Sequence, residues 1–229
     1  MPKVEALAQE AWEAHLAREE GRYRDGEARL DDAPDPDSRQ RQLTRLGNAA
    51  GGAGLSLLML GRPGEAAGWF HRAAQRYHES FEEAPPGSWG RPIGAMKALI
   101  LGGDLPGAED AARWALEAGA AESESPIGRY AAALASLLLD RLPDARRHAD
   151  EIRTRDDFPN DVGDALAFLA AQDVAGYETA VESVLESFET RGEYLEDLPV
   201  ADTVLVLQAL AERRDMAAEL SSPLLPDPS

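Results

Sequence analysis

The chain of 229 residues has no cysteine, which excludes disulfide frameworks, thiol nucleophiles and thiolate metal sites. Lysine is almost missing: of 23 basic residues only Lys3 and Lys97 are lysines, and arginine supplies the other 21. No long hydrophobic run is present either. The longest, Ala49 to Leu60, is twelve residues with three glycines, too short to cross a bilayer. Met1 to Glu20 lacks the basic-then-apolar order of a signal peptide, so the sequence predicts a soluble, cytoplasmic protein without a membrane partner.

What is abundant is acid. Against those 23 basic residues stand 42 acidic ones, a net charge of −19. A nucleic-acid binder needs a basic face to displace counterions from phosphates, and this balance argues against that class. The one basic cluster, Arg39, Arg41 and Arg45, reads as a solvated helix face with local pairing. Acid excess with lysine scarcity fits a cytosol rich in salt, where a short Debye length relieves self-repulsion; a GC-rich genome accounts for the arginine bias but less well for the acid. At 44% hydrophobic the chain can still bury a sizeable core.

Leu46 to Glu83 is the clearest structural unit. Leu46, Gly47, Ala50, Ala53, Gly54, Leu57 and Leu58 recur at steps of three and four, one face of a helix that stops at Gly61-Arg62-Pro63-Gly64. A second helix carries Ala66, Ala67, Phe70, Ala73, Ala74, Tyr77 and Phe81 on its inner face. Small residues at Gly54, Ala66 and Ala73 let two backbones approach, and Phe70 fills the space between neighbouring pairs.

With Gly54 on the first helix, then Ala66, Phe70 and Ala73 on the second, this stretch resembles the tetratricopeptide repeat. It departs from that pattern at Ala50, Leu57 and the late prolines Pro85 and Pro86. The resemblance implies an all-α fold: an array of about five antiparallel helical hairpins in a right-handed superhelix, preceded by an N-terminal helix. Its concave face would bind a protein or peptide.

Along the chain, an amphipathic helix runs to about Leu30, with Val4, Leu7, Ala8, Ala11 and Trp12 as its stripe. Residues 31–37 read as an Asp/Pro linker, after which Ser38 or Asp37 caps the next helix. After the first hairpin, pairs are expected around turns at Pro106, Pro143, Ala175 and Asp215, the last followed by a helix through Met216 and Leu220. The spacings of 43, 37, 32 and 40 residues from Pro63 onward are irregular, which predicts a closed or tightly curved array. Val204-Leu205-Val206-Leu207 could be a strand, but an isolated strand cannot satisfy its backbone, so helix is expected. Residues 1–220 then make a single domain, and 221–229, with three prolines, a disordered tail.

Chemistry is sparse. The glycine-rich Gly47 to Gly54 lacks the following Lys-Ser or Lys-Thr and the preceding strand of a phosphate loop; its Gly47/Gly51 spacing reads as close helix packing. His71 and His78 share a helix face with Glu82, but seven residues separate the two by about 10 Å of rise, too far for one ion. No catalytic, cofactor or metal residue is assigned, and the protein is expected not to be an enzyme.

Recognition remains. Trp69, Tyr77, Trp89, Trp114 and Arg91 have the chemistry of interface hot spots, although Trp69 and Trp114 also suit a core. Trp89 and Arg91, beside a Pro-rich loop, are the expected exposed pair. Acidic walls would favour a basic or neutral partner. An alternative rests on Trp89-Gly90-Arg91 and on Gly192 to Glu196 leading into Val200 to Arg213: the chain looks somewhat like all-helical immunity proteins that neutralise polymorphic toxins. A metal-binding or catalytic helical protein is the third reading.

Overall fold

Helix boundaries follow the turn chemistry. A computed structural model describes residues 6–227 and contains ten α-helices. They are α1 (Gln9–Glu27), α2 (Pro36–Met59), α3 (Pro63–Glu82), α4 (Gly90–Leu101), α5 (Leu105–Glu117), α6 (Pro126–Leu138), α7 (Leu142–Ile152), α8 (Asn160–Ala171), α9 (Val174–Thr190) and α10 (Asp202–Glu212). Single 3₁₀ turns lie at Ala120–Glu122 and Leu195–Asp197, and no strand occurs among the described residues, so Val204 to Leu207 is helical as expected. No described helix is long and apolar enough to cross a membrane.

One turn recurs five times. After α2, α4, α6, α8 and α10 a residue enters the left-handed region: Gly61, Gly103, Asp140, Gln172 and Asp215. The next N–H then reaches back five residues, Arg62 to Leu57 O, Asp104 to Leu99 O, Arg141 to Ser136 O, Asp173 to Phe168 O and Met216 to Ala211 O, all at 2.9–3.0 Å. This satisfies a carbonyl that the helix end would otherwise orphan. Proline in the first turn of α2, α3, α5, α6 and α7 costs no hydrogen bond there.

Burial recurs in step with the turns. Counting from the residue that caps α3, α5, α7 and α9, the fourth, eighth and eleventh positions are buried every time: Ala66/Phe70/Ala73, Ala108/Ala112/Ala115, Ala145/Ala149/Ile152 and Tyr177/Val181/Val184. Each helix from α1 to α9 packs on the next in sequence, and α10 packs on α9, α8 and α4. Close approach is purchased with glycine: a Cβ at Gly54 would stand 2.7 Å from the Phe70 ring, and one at Gly47 or Gly94 2.7 Å from the Tyr77 ring.

Four expectations are corrected. α1 stops at Glu27, and Val4 lies outside the described residues. Pro36 and Asp37 belong to α2 rather than to a linker, because Asp35 accepts the Ser38 N–H at 2.8 Å and so caps the helix two residues before the expected site. Beyond Asp215 no second helix forms. Gln208 instead engages the backbone of Ala218, donating to its O at 2.6 Å and accepting from its N–H at 3.2 Å, and this holds the strand-like return against α10. Of the expected disordered tail, residues 221–227 continue that return, with Leu224 buried and its O accepting the Ala201 N–H at 2.9 Å; residues 228–229 lie outside the described residues.

Candidate binding cavity

The segment from the end of α9 to the start of α10 forms one wall of a cavity of about 430 Å³. The other wall is helical: Thr44, Asn48, Gly51 and Leu55 from α2, Phe70 and Tyr77 from α3, and Arg91, Ile93, Gly94, Lys97 and Leu101 from α4. Phe188 and Arg191 enter from the end of α9, Asp202 and Thr203 from the start of α10. Between them the connector contributes Tyr194, Glu196, Leu198 and Val200. Every second residue from 194 to 202 therefore lines the cavity, along a bent path that runs through the 3₁₀ turn at Leu195–Asp197 and into the first turn of α10.

Hydrogen bonds tie the walls together. Tyr77 Oη donates to Asn48 Oδ1 at 3.0 Å, and Asn48 Nδ2 donates to Glu196 Oε1 at 2.9 Å. Glu196 is also ion-paired with Arg22 of α1, while Arg18 donates to the Glu196 carbonyl. Behind them Glu19, fully buried, holds Arg18 at 2.8 Å and Arg22 at 3.0 Å. Glu196 and Asp197 both sit in the left-handed region, at φ 56 and 57, a conformation that non-glycine residues keep only when surrounding contacts impose it. On the opposite side Lys97 Nζ meets Asp202 Oδ2 at 2.5 Å and donates to Thr203 Oγ1 at 3.2 Å.

These environments set the protonation states. Burial alone would pull the Lys97 ammonium down, but the Asp202 carboxylate outweighs it and holds Lys97 above the usual lysine range. Burial raises the Tyr77 phenol, reinforced by the charges of Glu196 and Asp202. Arg91 is pulled down by burial, with no carboxylate opposing the shift. It remains a cation, since a guanidinium does not lose its proton in a protein.

Compared with known proteins, the chain matches no family model, no curated protein and no solved structure. Its function must be read from the cavity and the surface.

Of the five aromatic and arginine residues singled out in the sequence, the cavity collects Tyr77 and Arg91. The tryptophans are elsewhere. Trp69 is half-buried, edge-on to Tyr23 with centroids 5.4 Å apart and with Arg72 over its face. Trp114 is half-buried between His78 and Phe81. Trp89, expected at the surface, is buried: Ser88 donates to Pro85 O instead of capping α4, and the indole packs beside Phe81 and against Gly128 of α6. His71 and His78 take different neighbours, Asp104 and Trp114. No group of three or more His, Asp or Glu able to hold a metal occurs among the described residues.

Gly51, read from its spacing as a packing residue, has nothing within 4 Å of the position its Cβ would take and opens into the cavity; only Gly47 of that pair packs. Asn48, Lys97, Glu196 and Asp202 were missed as site residues. The one signal available was the rarity of Lys97 in a lysine-poor chain.

Proposed function

We propose that the protein is a non-catalytic recognition module, a tetratricopeptide-like array of four helical hairpins with a truncated fifth, which receives an extended segment of a partner protein in this cavity. The recurring left-handed turn and the recurring buried triplet support the repeat reading. The observation that carries the functional reading is the cavity itself: the connector is bonded across to the helical wall through Glu196 and Asn48, and about 430 Å³ stays open between them. The lining groups also favour binding over proton transfer. Lys97 is committed to Asp202, Glu196 to Arg22 and Tyr77 to Asn48, and the shifts of Lys97 and Tyr77 carry both away from neutrality.

Gly51→Leu provides the test. Its side chain would project into open space, fill part of the cavity and improve the helix. Affinity purification from the source cells at high salt is expected to return a stoichiometric partner with the wild-type chain and to lose it with Gly51→Leu at unchanged melting temperature. Absence of any partner, or equal recovery with the variant, counts against the proposal. A captured secreted toxin would identify the partner's class as that of the immunity alternative.

A further inference from the structure

Resting on the reading of the cavity as a peptide site, we infer that the partner segment is acidic, with apolar residues flanking its carboxylates. This runs against the net charge of −19, from which a basic partner would be expected. Local pairing decides the matter. Among the charged groups of the lining, Lys97 takes Asp202, and Glu196 is taken by Arg22 from behind the connector. Two guanidiniums remain, Arg91 and Arg191.

Arg91 donates from Nε to Ser80 Oγ at 3.2 Å and from Nη2 to Gln40 Oε1 at 2.6 Å. Both acceptors are neutral, and Nη1 has no hydrogen-bond acceptor among the described residues. The other arginines there that lack a carboxylate partner are Arg24, Arg29, Arg45, Arg72, Arg141 and Arg191, and all are exposed; Arg91 alone is drawn in from solvent without an anion. Arg191 stands with its guanidinium carbon 3.5 Å from the Phe188 ring centroid, and its hydrogen bonds go to Ser187. A partly desolvated guanidinium is compensated best by a carboxylate, which it binds with two parallel charge-assisted hydrogen bonds.

Between these cations the wall is apolar, through Leu55, Ile93, Leu101 and Val200. A carboxylate alone would leave that surface wet; a carboxylate beside a leucine or valine would cover it. The connector already shows part of the match, since Tyr194, Glu196, Leu198 and Val200 set one carboxylate beside apolar side chains against the same cavity. The partner segment is thus of similar chemistry to the connector and lies beside it.

The experiment is selection of a short-peptide display library on the immobilised full-length protein, followed by fluorescence anisotropy of one selected peptide synthesised with both ends capped. Expected are peptides enriched in Asp or Glu next to Leu, Ile, Val or Phe, about tenfold weaker binding to a folded Arg91→Gln variant, and weaker binding to Arg191→Gln. Arg141→Gln, outside the cavity, should bind as wild type. Arg191 is exposed, so its variant keeps the test open should Arg91→Gln fail to fold. Enrichment of basic or uncharged peptides that Gly51→Leu excludes and the arginine variants bind normally would overturn the acidic assignment and leave the cavity reading intact. No enrichment sensitive to Gly51→Leu would remove the cavity reading itself.

Discussion

Phe70 and Gly54 are fitted to each other across α2 and α3, with Phe70 1% exposed and the glycine leaving its ring room. Phe70→Ala should cost about 3–5 kcal/mol, and Gly54→Ala, which drives a methyl into the ring, about 1–3 kcal/mol. In the double variant the added methyl occupies vacated space, so urea denaturation should show a loss smaller than the sum of the two. This pair was legible in the sequence because both residues sit in one hairpin. Tyr77 was legible only as an aromatic: its ring slots between Gly47 and Gly94, and nothing local announces that a glycine seventeen positions downstream faces the same ring.

A second consequence at this scale concerns pH. His148 is buried, and burial together with Arg147 and Arg129 lowers its pKa, outweighing Glu151 and Asp144; His15 is lowered as well, first by burial. The folded state therefore favours neutral imidazole. The stability this contributes is fully present above the ordinary histidine value of 6.5 and is lost as pH falls from there toward the lowered folded value. Melting temperature should decline over that interval before most carboxylates titrate, and His148→Gln should flatten the decline.

At the level of the helix, the repeated turn explains which pairs could be read in advance. Gly61 and Gly103 announce it by residue type, whereas Asp140, Gln172 and Asp215 adopt the same left-handed conformation without glycine and are visible only through the Pro or Asp that follows or ends the turn. α5 has a side-chain cap, Asp104 to the Gly107 N–H, and α7 has none at Arg141. Asp104→Ala should lose about 1 kcal/mol in chemical denaturation, and Arg141→Asp should gain a few tenths to about 1 kcal/mol. The missing second helix after α10 was not legible: Met216 to Leu220 has adequate helix formers, and the competing partner is the Gln208 side chain on the preceding helix.

For the whole molecule, charge sets the conditions of folding. With net charge −19, repulsion acts across the entire surface, and at 1 M salt the Debye length shrinks to about 3 Å. Melting temperature is expected to rise from dilute buffer to molar KCl; a flat profile would remove the salt-adapted reading. The all-helical fold was legible from the periodicity, but the long-range contacts that build the cavity were not. Asn48 and Glu196 are 148 positions apart, Arg18 and Glu196 178, and Lys97 and Asp202 105. Side-chain pairs at such separations leave no periodicity to read, so the candidate cavity was the least legible part of the chain.

That separation also imposes an order in time. The helical wall from α2 to α4 is synthesised about a hundred residues before the connector and α10, a delay on the order of 5–20 s at ordinary elongation rates. Throughout that interval Arg22, Asn48 and Lys97 lack Glu196 and Asp202, the carboxylates they later hold. The connector is thus the last part of the site to be made, and the finished cavity is the room that its arrival leaves over.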